Sequence, residues 1–370
     1  MEDKDKEYMK LALELAEKGM GWTAPNPMVG AVIVKKGKII GQGFHERYGG
    51  LHAERNALKS CTQSPFGATM YVTLEPCCHH GKQPPCVDAI LEAGISRVVI
   101  GSADPNPLVS GKGISILRSH GVAVEEGILK EECDGLNEVF FHYIQTKTPF
   151  VVMKYAMTMD GKIAAYTGAS KWITGETARK HVQLQRHRYT AIMVGVGTVI
   201  EDDPMLNCRI PGGRQPIRII CDSQLRTPLI SRVVQTAGEI STILATCCKE
   251  RERLHAYEKA GCRILQVEKA GEHIDLVCLM ERLGEEGIDS ILLEGGGTLN
   301  WAALESGIVQ KVQAYIAPKL FGGQRAKTPV EGKGVSVPDE SFFLKNSVLT
   351  RLGEDFLIES EVENHVYRNH

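Results

Sequence analysis

The sequence predicts a protein of two successive α/β domains. The chain has 370 residues, and 43% of them are hydrophobic, which is enough for two cores of ordinary size. Short apolar strand patterns alternate with helical patterns along both halves, as is typical of layered α/β structure. A polar stretch closed by a proline, near Thr146 to Pro149, separates the halves. We therefore expect one domain at residues 1–146 and a second at 147–370.

Apolar periodicity predicts the elements of the first domain. An amphipathic helical pattern occupies the first twenty residues, and two short strands, "GAVIV" and "KIIGQGF", flank a "KKGK" turn. A helix is expected from about His52. The strand "ATMYVTL", a helix opened by "PPCVDAILEAG", the strand "RVVIGSA" and a helix and strand through "ISILRSHGVAVEEGI" follow.

The second domain is richer in fully apolar strands. Its predicted strands are apolar at several consecutive positions, so we expect a sheet that is buried on both faces. A helical pattern, "GETARKHVQLQRHR", lies between the first two of them, and the final "NHVYRNH" is expected to be a loose tail. The predicted strands are "FVVMKYAM", "AIMVGVG", "PIRIICD", "ISTILAT", "CRILQVE" and "SILLEGG".

Composition and charge exclude several classes of protein. A net charge of −2 provides no broad positive field for nucleic acid. The sequence has no apolar stretch of the roughly 18 residues that a membrane helix needs, and its charged start contains no signal-peptide core. We therefore expect a cytoplasmic enzyme without a membrane or nucleic-acid partner. Its eleven cysteines are expected to be mostly reduced thiols.

Four residues in the first domain predict a catalytic zinc site. His52 and Glu54 stand at a helix start, Cys77 follows a strand, and Cys86 follows two prolines at the head of a helix. Two thiolates and one imidazole make three protein ligands, and zinc held in this way keeps a fourth position open for a water. A helix N-terminus also favours the thiolate of Cys86. His-x-Glu followed by Pro-Cys-x-x-Cys is typical of zinc nucleobase deaminases, in which the glutamate moves protons. Here the second half is stretched, with eight residues between Cys77 and Cys86.

Each part of this pattern has a plainer interpretation. Most free cysteines are small buried apolar residues, and an acidic residue in a first helical turn is favoured by the helix dipole alone. The joint occurrence of the four residues at strand and helix ends favours zinc. Cys78, His79 and His80 are further potential ligands; we prefer Cys77 to Cys78 because it follows Glu75-Pro76, and treat both histidines as loop or substrate residues.

Four blocks of the first half carry a family resemblance. They are "APNPMVGAVIV", "HAE", "VTLEPCCHHGKQPPC" and "SADPNPLVSGKGI", and they resemble the N-terminal half of the bifunctional riboflavin-biosynthesis deaminase-reductases. The long cysteine spacing matches this family better than the short spacing of cytidine or tRNA-adenosine deaminases. The resemblance covers most of residues 7–145. It implies a cytidine-deaminase-like three-layer α/β/α domain that acts as a zinc-dependent pyrimidine deaminase.

The resemblance also implies a substrate and the residues that bind it. The substrate is 2,5-diamino-6-ribosylamino-4(3H)-pyrimidinone 5′-phosphate, and Glu54 would carry a proton from the attacking water to the departing amine. Turn formation before proline explains Asn26 and Asn106 equally well, and Lys82 is equally consistent with solvated loop charge. The implied substrate residues are Asn26, His45, Lys82, Asp104 and Asn106.

Glycine clusters at strand ends mark the second domain. Gly295, Gly296 and Gly297 lie between a strand and a helix expected from about Thr298, and Gly195 and Gly197 follow another strand. Such glycines let backbone amides approach a phosphate, although a tight turn explains them too. The ordinary G-x-G-x-x-G dinucleotide fingerprint is absent. The residues alone predict a nucleotide or phosphate site and no more.

Three blocks of this half, "MTMDGKIAAYTGASKWITG", "VGVGTVIEDDPMLNCR" and "LLEGGGTLNWAAL", resemble the reductase half of the same family. The resemblance covers about residues 148–362, more weakly between 225 and 285. It implies a dihydrofolate-reductase-like α/β fold, one zinc per chain in the first domain, NADPH in the second, and reduction of the ribosyl group to ribityl. The implied substrate residues are Lys154, Ser170, Arg186, Asp202, Arg209 and Glu294, and the implied NADPH residues are Ala156, Trp172, Thr198, Ser223, Gly295, Gly296 and Gly297.

Side-chain chemistry fits these roles, with two alternatives left open. Arg186 and Arg209 can meet phosphate oxygens as forked donors, and Asp202 and Glu294 can accept from ribose hydroxyls. Arg186 is equally readable as an exposed helix charge and Asp202 as a turn former. Two rival functions are a base-modifying deaminase with a degenerate partner domain and a non-catalytic zinc-stabilised binding module. A homo-oligomer that acts on phosphorylated pyrimidines is the expected assembly.

Overall fold

A computed structural model describes residues 2–81, 83–106 and 109–363 of the chain. The chain divides into two compact units, Met1–Lys147 and Thr148–His370. The predicted loose tail at 364–370 lies outside the described residues. Within the described part, every helix is too short or too polar to cross a membrane.

The first unit is a five-stranded sheet between two layers of helices. The sheet order is β2-β1-β3-β4-β5, with β1 antiparallel to β2 and β3, and with β3, β4 and β5 parallel. The elements are α1 (Glu2–Glu17), β1 (Gly30–Lys35), β2 (Lys38–Phe44), α2 (Ala53–Lys59), β3 (Thr69–Leu74), α3 (Cys86–Glu92), β4 (Arg97–Ser102), α4 (Lys112–Ser119), β5 (Ala123–Glu126), α5 (Lys130–Leu136) and α6 (Glu138–Thr146).

Alternation along the central strands produces the two cores of this unit. Ala31 and Ile33 of β1 pack in the core formed with α2, α3 and α4, whereas Val32 and Val34 pack in the core formed with α1 and α5. Gly43 lets α2 lie directly on the sheet, since a Cβ there would stand 2.3 Å from the Ala57 nitrogen. This close approach fixes the start of α2, where His52 is located.

The second unit contains a nine-stranded sheet, in the order β10-β9-β8-β7-β13-β6-β14-β16-β15. The strands from β10 to β14 are parallel, and β16 and β15 add an antiparallel edge. The elements are β6 (Phe150–Thr158), α7 (Glu176–Arg188), β7 (Ala191–Gly195), α8 (Val196–Asp202), β8 (Ile217–Cys221), α9 (Arg232–Gln235), β9 (Thr242–Thr246), α10 (Arg251–Lys259), β10 (Arg263–Gln266), β11 (Lys269–Ala270), β12 (His273–Ile274), α11 (Leu276–Glu285), β13 (Ser290–Leu293), α12 (Gly297–Glu305), β14 (Val309–Ala317), β15 (Leu344–Leu352) and β16 (Asp355–Val362).

The central strands are buried on both faces, as their continuous apolar runs predict. In β7, Met193 belongs to the core with α11 and α12, while Ile192 and Val194 belong to the core with α8, α9 and α10. The predicted strand through "AIMVGVG" is too long, because β7 ends at Gly195 and Val196 already begins α8. Strands β14, β15 and β16 were not predicted.

Candidate functional sites

His52, Cys77 and Cys86 come together in the first unit. The Nδ1 atom of His52 lies 3.4 Å from the Sγ atom of Cys77 and 3.4 Å from that of Cys86, and the three donor atoms all lie within 4.8 Å of one another. Across residues 2–81, 83–106 and 109–363, no fourth His, Cys, Asp or Glu joins this group. Two sulfurs and one imidazole nitrogen at this spacing fit a zinc ion that keeps one coordination position open.

Backbone contacts explain how two cysteines nine residues apart in sequence meet. The Cys77 carbonyl accepts hydrogen bonds from the backbone N–H groups of Cys86, at 3.0 Å, and Val87, at 3.2 Å. Cys77 thereby satisfies free amides in the first turn of α3. Arg55 of α2 donates to the carbonyls of Pro84, at 3.3 Å, and Pro85, at 2.8 Å, and so ties this turn to the helix that follows His52.

The two thiols are not equivalent. Donation from the Cys86 thiol lowers the pKa of Cys77, and His52 acts in the same direction. The hydrogen bond to Cys77, together with burial, raises the pKa of Cys86. That the helix N-terminus favours the Cys86 thiolate stays a prediction, since ligation of a metal would itself favour both thiolates.

Glu54 lies beside this group and is 3% exposed. Burial raises the pKa of its carboxyl group, and the negative charge of Cys77 acts in the same direction. Because α2 begins at Ala53, Glu54 lies in the first helical turn, two residues after the N-cap residue His52. A buried carboxyl group next to potential metal ligands is suited to taking up and releasing a proton.

A cavity of about 290 Å³ opens next to these residues. Asn26 and His45 line it and are in contact, with 3.3 Å between the amide Nδ2 atom and the imidazole Nε2 atom. The His45 ring also packs edge-on against His52, with 5.3 Å between ring centroids. Asp104 and Asn106 line the same cavity. The structure thus brings together four of the five predicted substrate residues, and Lys82 lies outside the described residues.

Asp104 is buried, and burial raises the pKa of its carboxyl group to about 6. Its Oδ1 atom accepts the backbone N–H of Asn106 at 2.8 Å. This contact is an Asx turn, in which an aspartate side chain accepts from the backbone N–H two residues further on.

Sequence reasoning missed Glu75 as a member of the site. Its carboxylate lines the cavity, is 3% exposed, and is within hydrogen-bond distance of four backbone N–H groups. The feature of the sequence that points to Glu75 is its position, one residue beyond the end of β3 and immediately before Pro76-Cys77. His79 lines the cavity as well, in accord with its interpretation as a loop or substrate residue.

A second cluster surrounds Glu294, one residue beyond β13. Arg186 Nε donates to Oε1 at 2.8 Å and its Nη2 donates to Oε2 at 3.0 Å, which is a forked ion pair. Lys154 Nζ lies 3.5 Å from Oε2 and 5.7 Å from the centre of the Tyr315 ring. The Arg186 side chain is 13% exposed, so it is not an exposed helix charge.

Arg186 and Glu294 already pair with each other, so fewer of their polar groups are left to bind a ligand. The Arg186 fork, which was expected to meet phosphate, is occupied by Glu294, and its Nη1 donates to the Asn207 carbonyl at 3.1 Å. Burial would raise the pKa of Glu294, but the charges of Arg186 and Lys154 outweigh it and lower this pKa to about 2. Glu294 is therefore an ionised anchor for two cations.

Several of the glycines and polar residues that were predicted to bind a nucleotide lie at the carboxyl ends of parallel strands. Gly195 ends β7, Ser223 follows β8, and the glycine run follows β13. This edge is where ligands bind open α/β sheets. Gly297 is required for packing, since a Cβ there would stand 2.5 Å from the Glu331 Cγ atom, whereas a Cβ at Gly296 would meet open space. Thr198 lies in the first turn of α8, and Ala156 lies in β6.

The remaining predicted residues lie on more exposed segments. Asp202 is the last residue of α8 and is exposed, as is Arg209. Trp172 is 60% exposed, and the Arg179 guanidinium lies 4.8 Å from its ring centre. In the described part of the chain, no hydrogen bond joins the side chains of Ser170, Asp202 or Arg209 to the Glu294 cluster.

Comparisons with known proteins identify the family of each half of the chain. A family model described as cytidine and deoxycytidylate deaminase zinc-binding region matches residues 2–102, and one described as RibD C-terminal domain matches residues 149–358. The riboflavin biosynthesis protein RibD of Actinobacillus pleuropneumoniae is 56% identical over 355 residues, which cover 96% of this chain and 94% of that protein.

Two solved structures resemble the whole chain. RibD of Acinetobacter baumannii has a TM-score of 0.87 at 35% identity, covering 98% of this chain and 100% of that one. A Thermotoga maritima protein described as a diaminohydroxyphosphoribosylaminopyrimidine deaminase/5-amino-6-(5-phosphoribosylamino)uracil reductase has a TM-score of 0.85 at 39% identity, covering 98% of this chain and 99% of that one.

These matches confirm the predicted fold class and cofactors. The first domain is cytidine-deaminase-like, and the second has the dihydrofolate-reductase-like fold of RibD reductases. The deaminase domain is of a zinc-binding family, and the reductase domain is NADPH-dependent. The chain belongs to the RibD family, the bifunctional deaminase-reductases of riboflavin biosynthesis.

Proposed function

We propose that this chain deaminates 2,5-diamino-6-ribosylamino-4(3H)-pyrimidinone 5′-phosphate and then reduces the ribosyl group of the product to ribityl. The deaminase and reductase activities by which the similar Thermotoga maritima protein is named support this substrate pair. The observation that carries the deaminase assignment is the group of His52, Cys77 and Cys86, with the buried carboxyl group of Glu54 beside it. The proposed domains are a deaminase at 1–146 and a reductase at 147–370.

In the proposed deamination, His52, Cys77 and Cys86 hold the zinc. Bound zinc supplies Lewis-acid activation of water near neutral pH. Glu54 carries the proton of the attacking water to the nitrogen of the departing amine. Asn26, His45, Asp104 and Asn106 orient the pyrimidine in the cavity, whose volume of about 290 Å³ is close to the lower limit for small-molecule sites.

Replacing Glu54 tests the deaminase assignment. Glu54→Gln should lower the rate of ammonia release by about 10²–10⁴-fold, because the amide cannot transfer the proton. Zinc per chain should stay unchanged, since Glu54 is not a proposed ligand. Ammonia release and bound zinc are measured on the full chain, with Glu92→Gln, an exposed carboxylate of α3, as the matched control. Normal deamination by Glu54→Gln would remove this residue from the mechanism.

In the proposed reduction, NADPH supplies the hydride and the protein orients the two partners. Lys154, in β6, and Glu294, one residue beyond β13, bind the ribosyl phosphate substrate together with Ser170, Asp202 and Arg209. The occupied Arg186 fork favours an indirect role for this residue, namely holding Glu294 in place, and leaves the exposed Arg209 to meet phosphate. The proposed NADPH contacts are Ala156, Trp172, Thr198, Ser223, Gly295, Gly296 and Gly297.

Replacing Lys154 tests the reductase assignment. Lys154→Ala should weaken reduction by about 10- to 100-fold, as expected when a charged hydrogen-bonding group is lost from a site. Ammonia release by the same preparation should be unchanged and serves as the control for folding of the other domain. NADPH consumption with the deaminated intermediate is the measurement. Unchanged reductase kinetics would contradict the proposed role of Lys154.

We also propose that the protein forms a homo-oligomer and is located in the cytoplasm. Strand β15 is an edge strand of nine residues, and its Leu344, Val348 and Leu349 side chains are 48%, 58% and 65% exposed. A long, apolar, exposed edge is suited to pairing with another chain. No disulfide joins any of the eleven cysteines, all of which lie in the described part of the chain, and this fits a reducing compartment.

A further inference from the structure

We propose that Glu75 is a positioning residue of deamination, which holds the segment carrying Asp104 and Asn106 against the cavity. The inference rests on the proposed substrate roles of Asp104 and Asn106. Glu75 is not a metal ligand in this assignment and is not a proton carrier. Its function is to fix backbone geometry through a buried side chain that follows the end of β3.

Sheet topology places Glu75 beside the start of this segment. Strands β3 and β4 are parallel neighbours, with Leu74 opposite Ser102 in the register. The Glu75 backbone N–H then donates to the Ser102 carbonyl at 2.9 Å, which extends the ladder by one residue. The first residues after β4 therefore lie beside Glu75, as the contact of its side chain with the Asp104 backbone N–H shows.

The Glu75 carboxylate joins both ends of the segment. Its Oε2 atom accepts from the backbone N–H of Asp104, at 3.4 Å, and of Gly111, at 3.0 Å. Its Oε1 atom accepts from Gly113, at 3.1 Å, and from Ile114, at 3.4 Å. Both ends of the segment between β4 and α4 are thus attached to one side chain from another strand.

The contacts to Gly113 and Ile114 replace a missing helix cap. The N-cap residue of α4 is Gly111, which has no side chain to accept hydrogen bonds from the first helical turn. A carboxylate is favourable at this position because it also interacts with the positive end of the helix dipole. The fit is close, since a Cβ at Gly113 would stand 2.3 Å from the Pro76 carbonyl oxygen.

A series of hydrogen bonds connects Glu75 to Asp104 and Asn106 at the cavity. Glu75 holds the Asp104 backbone, the Asp104 carboxylate accepts the Asn106 backbone N–H at 2.8 Å, and the Asn106 carbonyl accepts from Val109 at 2.8 Å. Glu75, Asp104 and Asn106 all line the cavity. Displacing Glu75 should therefore move the two proposed substrate residues without altering the candidate zinc ligands.

The test compares Glu75→Gln and Glu75→Ala with the control Glu92→Gln, an exposed carboxylate in the same domain. The glutamine amide keeps one acceptor oxygen but turns an –NH₂ group toward two backbone donors. We expect the KM for the diaminopyrimidinone ribosylamine phosphate to rise at least about tenfold in both variants, with kcat changed much less. Zinc content and NADPH consumption with the deaminated intermediate should match those of the control.

Two further measurements make the test specific. Hydrogen exchange at the Gly111 and Gly113 amides should become faster in both Glu75 variants. Unchanged KM, unchanged exchange at these amides, or loss of zinc together with activity would each overturn the inference. Asp104→Ala and Asn106→Ala are measured in parallel. If they leave KM unchanged, both the proposed substrate roles and the inference fail; if they raise KM while the Glu75 variants do not, the inference alone fails.

Discussion

At the scale of single residues, Asp104 combines a proposed function with a cost in stability. Its pKa is raised to about 6 by burial, against about 3.9 for an exposed aspartate. Below about pH 4 the carboxyl group is protonated in both folded and unfolded chains, so it costs nothing there. As pH rises from about 4 to 6, the unfolded chain loses the proton first, and the free energy of unfolding falls by about 2 kcal/mol.

Asp104→Asn should therefore stabilise the protein in a pH-dependent way. The amide oxygen can still accept the Asn106 backbone N–H, so the turn is retained. We expect the variant to unfold at a higher temperature than the wild-type chain above about pH 6, with the difference vanishing near about pH 4. Thermal unfolding across this pH range measures it, and a pH-independent difference would contradict the argument. The KM for deamination should rise in the same variant.

Arg186 shows why residue roles are harder to predict than residue locations. The sequence places this arginine on an amphipathic helix, where both an exposed charge and a phosphate ligand were plausible. The structure instead pairs it with Glu294, which is more than a hundred residues away in the chain. The spacing of residues along one helix cannot identify such a partner. The partner is brought near Arg186 by the order of β7, β13 and β6 in the sheet.

At the scale of elements, the segment 207–209 is held by three side chains. Arg186 donates to the Asn207 carbonyl at 3.1 Å, and Gln215 pairs with Cys208 through both its oxygen, at 2.9 Å, and its nitrogen, at 2.8 Å. Gln183 of α7 accepts the Arg209 backbone N–H at 2.9 Å. The exposed Arg209 thus projects from a fixed segment, which suits a residue proposed to bind phosphate.

Removing one of these contacts should weaken substrate binding in the reduction. Gln183→Leu should raise the KM for the phosphorylated intermediate by about 3- to 10-fold, which corresponds to the loss of one hydrogen bond. Gln183→Glu keeps an acceptor for the Arg209 N–H and should show a smaller effect. Steady-state reduction kinetics measure both, with ammonia release as the control. Equal KM values for the wild-type chain and Gln183→Leu would contradict this role.

In the second unit, the strands that sequence patterns predicted are those with consecutive apolar residues. Strands such as β7 and β13 are buried along nearly their whole length and were found. Strand β15 was missed because eight of its nine residues are exposed, so it shows no hydrophobic period. Strand β14 was missed because Gln310, Lys311 and Gln313 interrupt its apolar pattern, although the strand lies inside the sheet.

The candidate metal group was predictable because its residues mark element ends. His52 precedes α2, Cys77 follows β3 and Cys86 begins α3, and each of these positions follows from local patterns. Glu75 could not be recognised in the same way. Its role depends on backbone amides 36 and 38 residues downstream, which come near it only because β3 and β4 are parallel neighbours.

At the scale of the whole molecule, both units place candidate residues just beyond the carboxyl ends of their parallel strands. In the first unit, Glu75 and Cys77 follow β3 and Asp104 follows β4. In the second unit, Ser223 follows β8 and Glu294 follows β13. Parallel strands end at a common edge, so side chains and loops that leave this edge converge without any strand having to bend. In each unit, the ends of parallel strands therefore supply part of the candidate residues, and neighbouring helices supply the rest, such as Cys86 in α3 and Arg186 in α7.

Removal of zinc should consequently separate the two activities. All three candidate ligands, His52, Cys77 and Cys86, belong to the first unit, whereas Lys154 and Glu294 belong to the second. Dialysis against a chelator should abolish ammonia release and leave NADPH consumption with the deaminated intermediate within about twofold of its original rate. Restoring zinc should recover ammonia release, and Lys154→Ala provides the converse case. Parallel loss of both activities on chelation would show that the reductase depends on the metal, and would contradict two sites that each function within one unit.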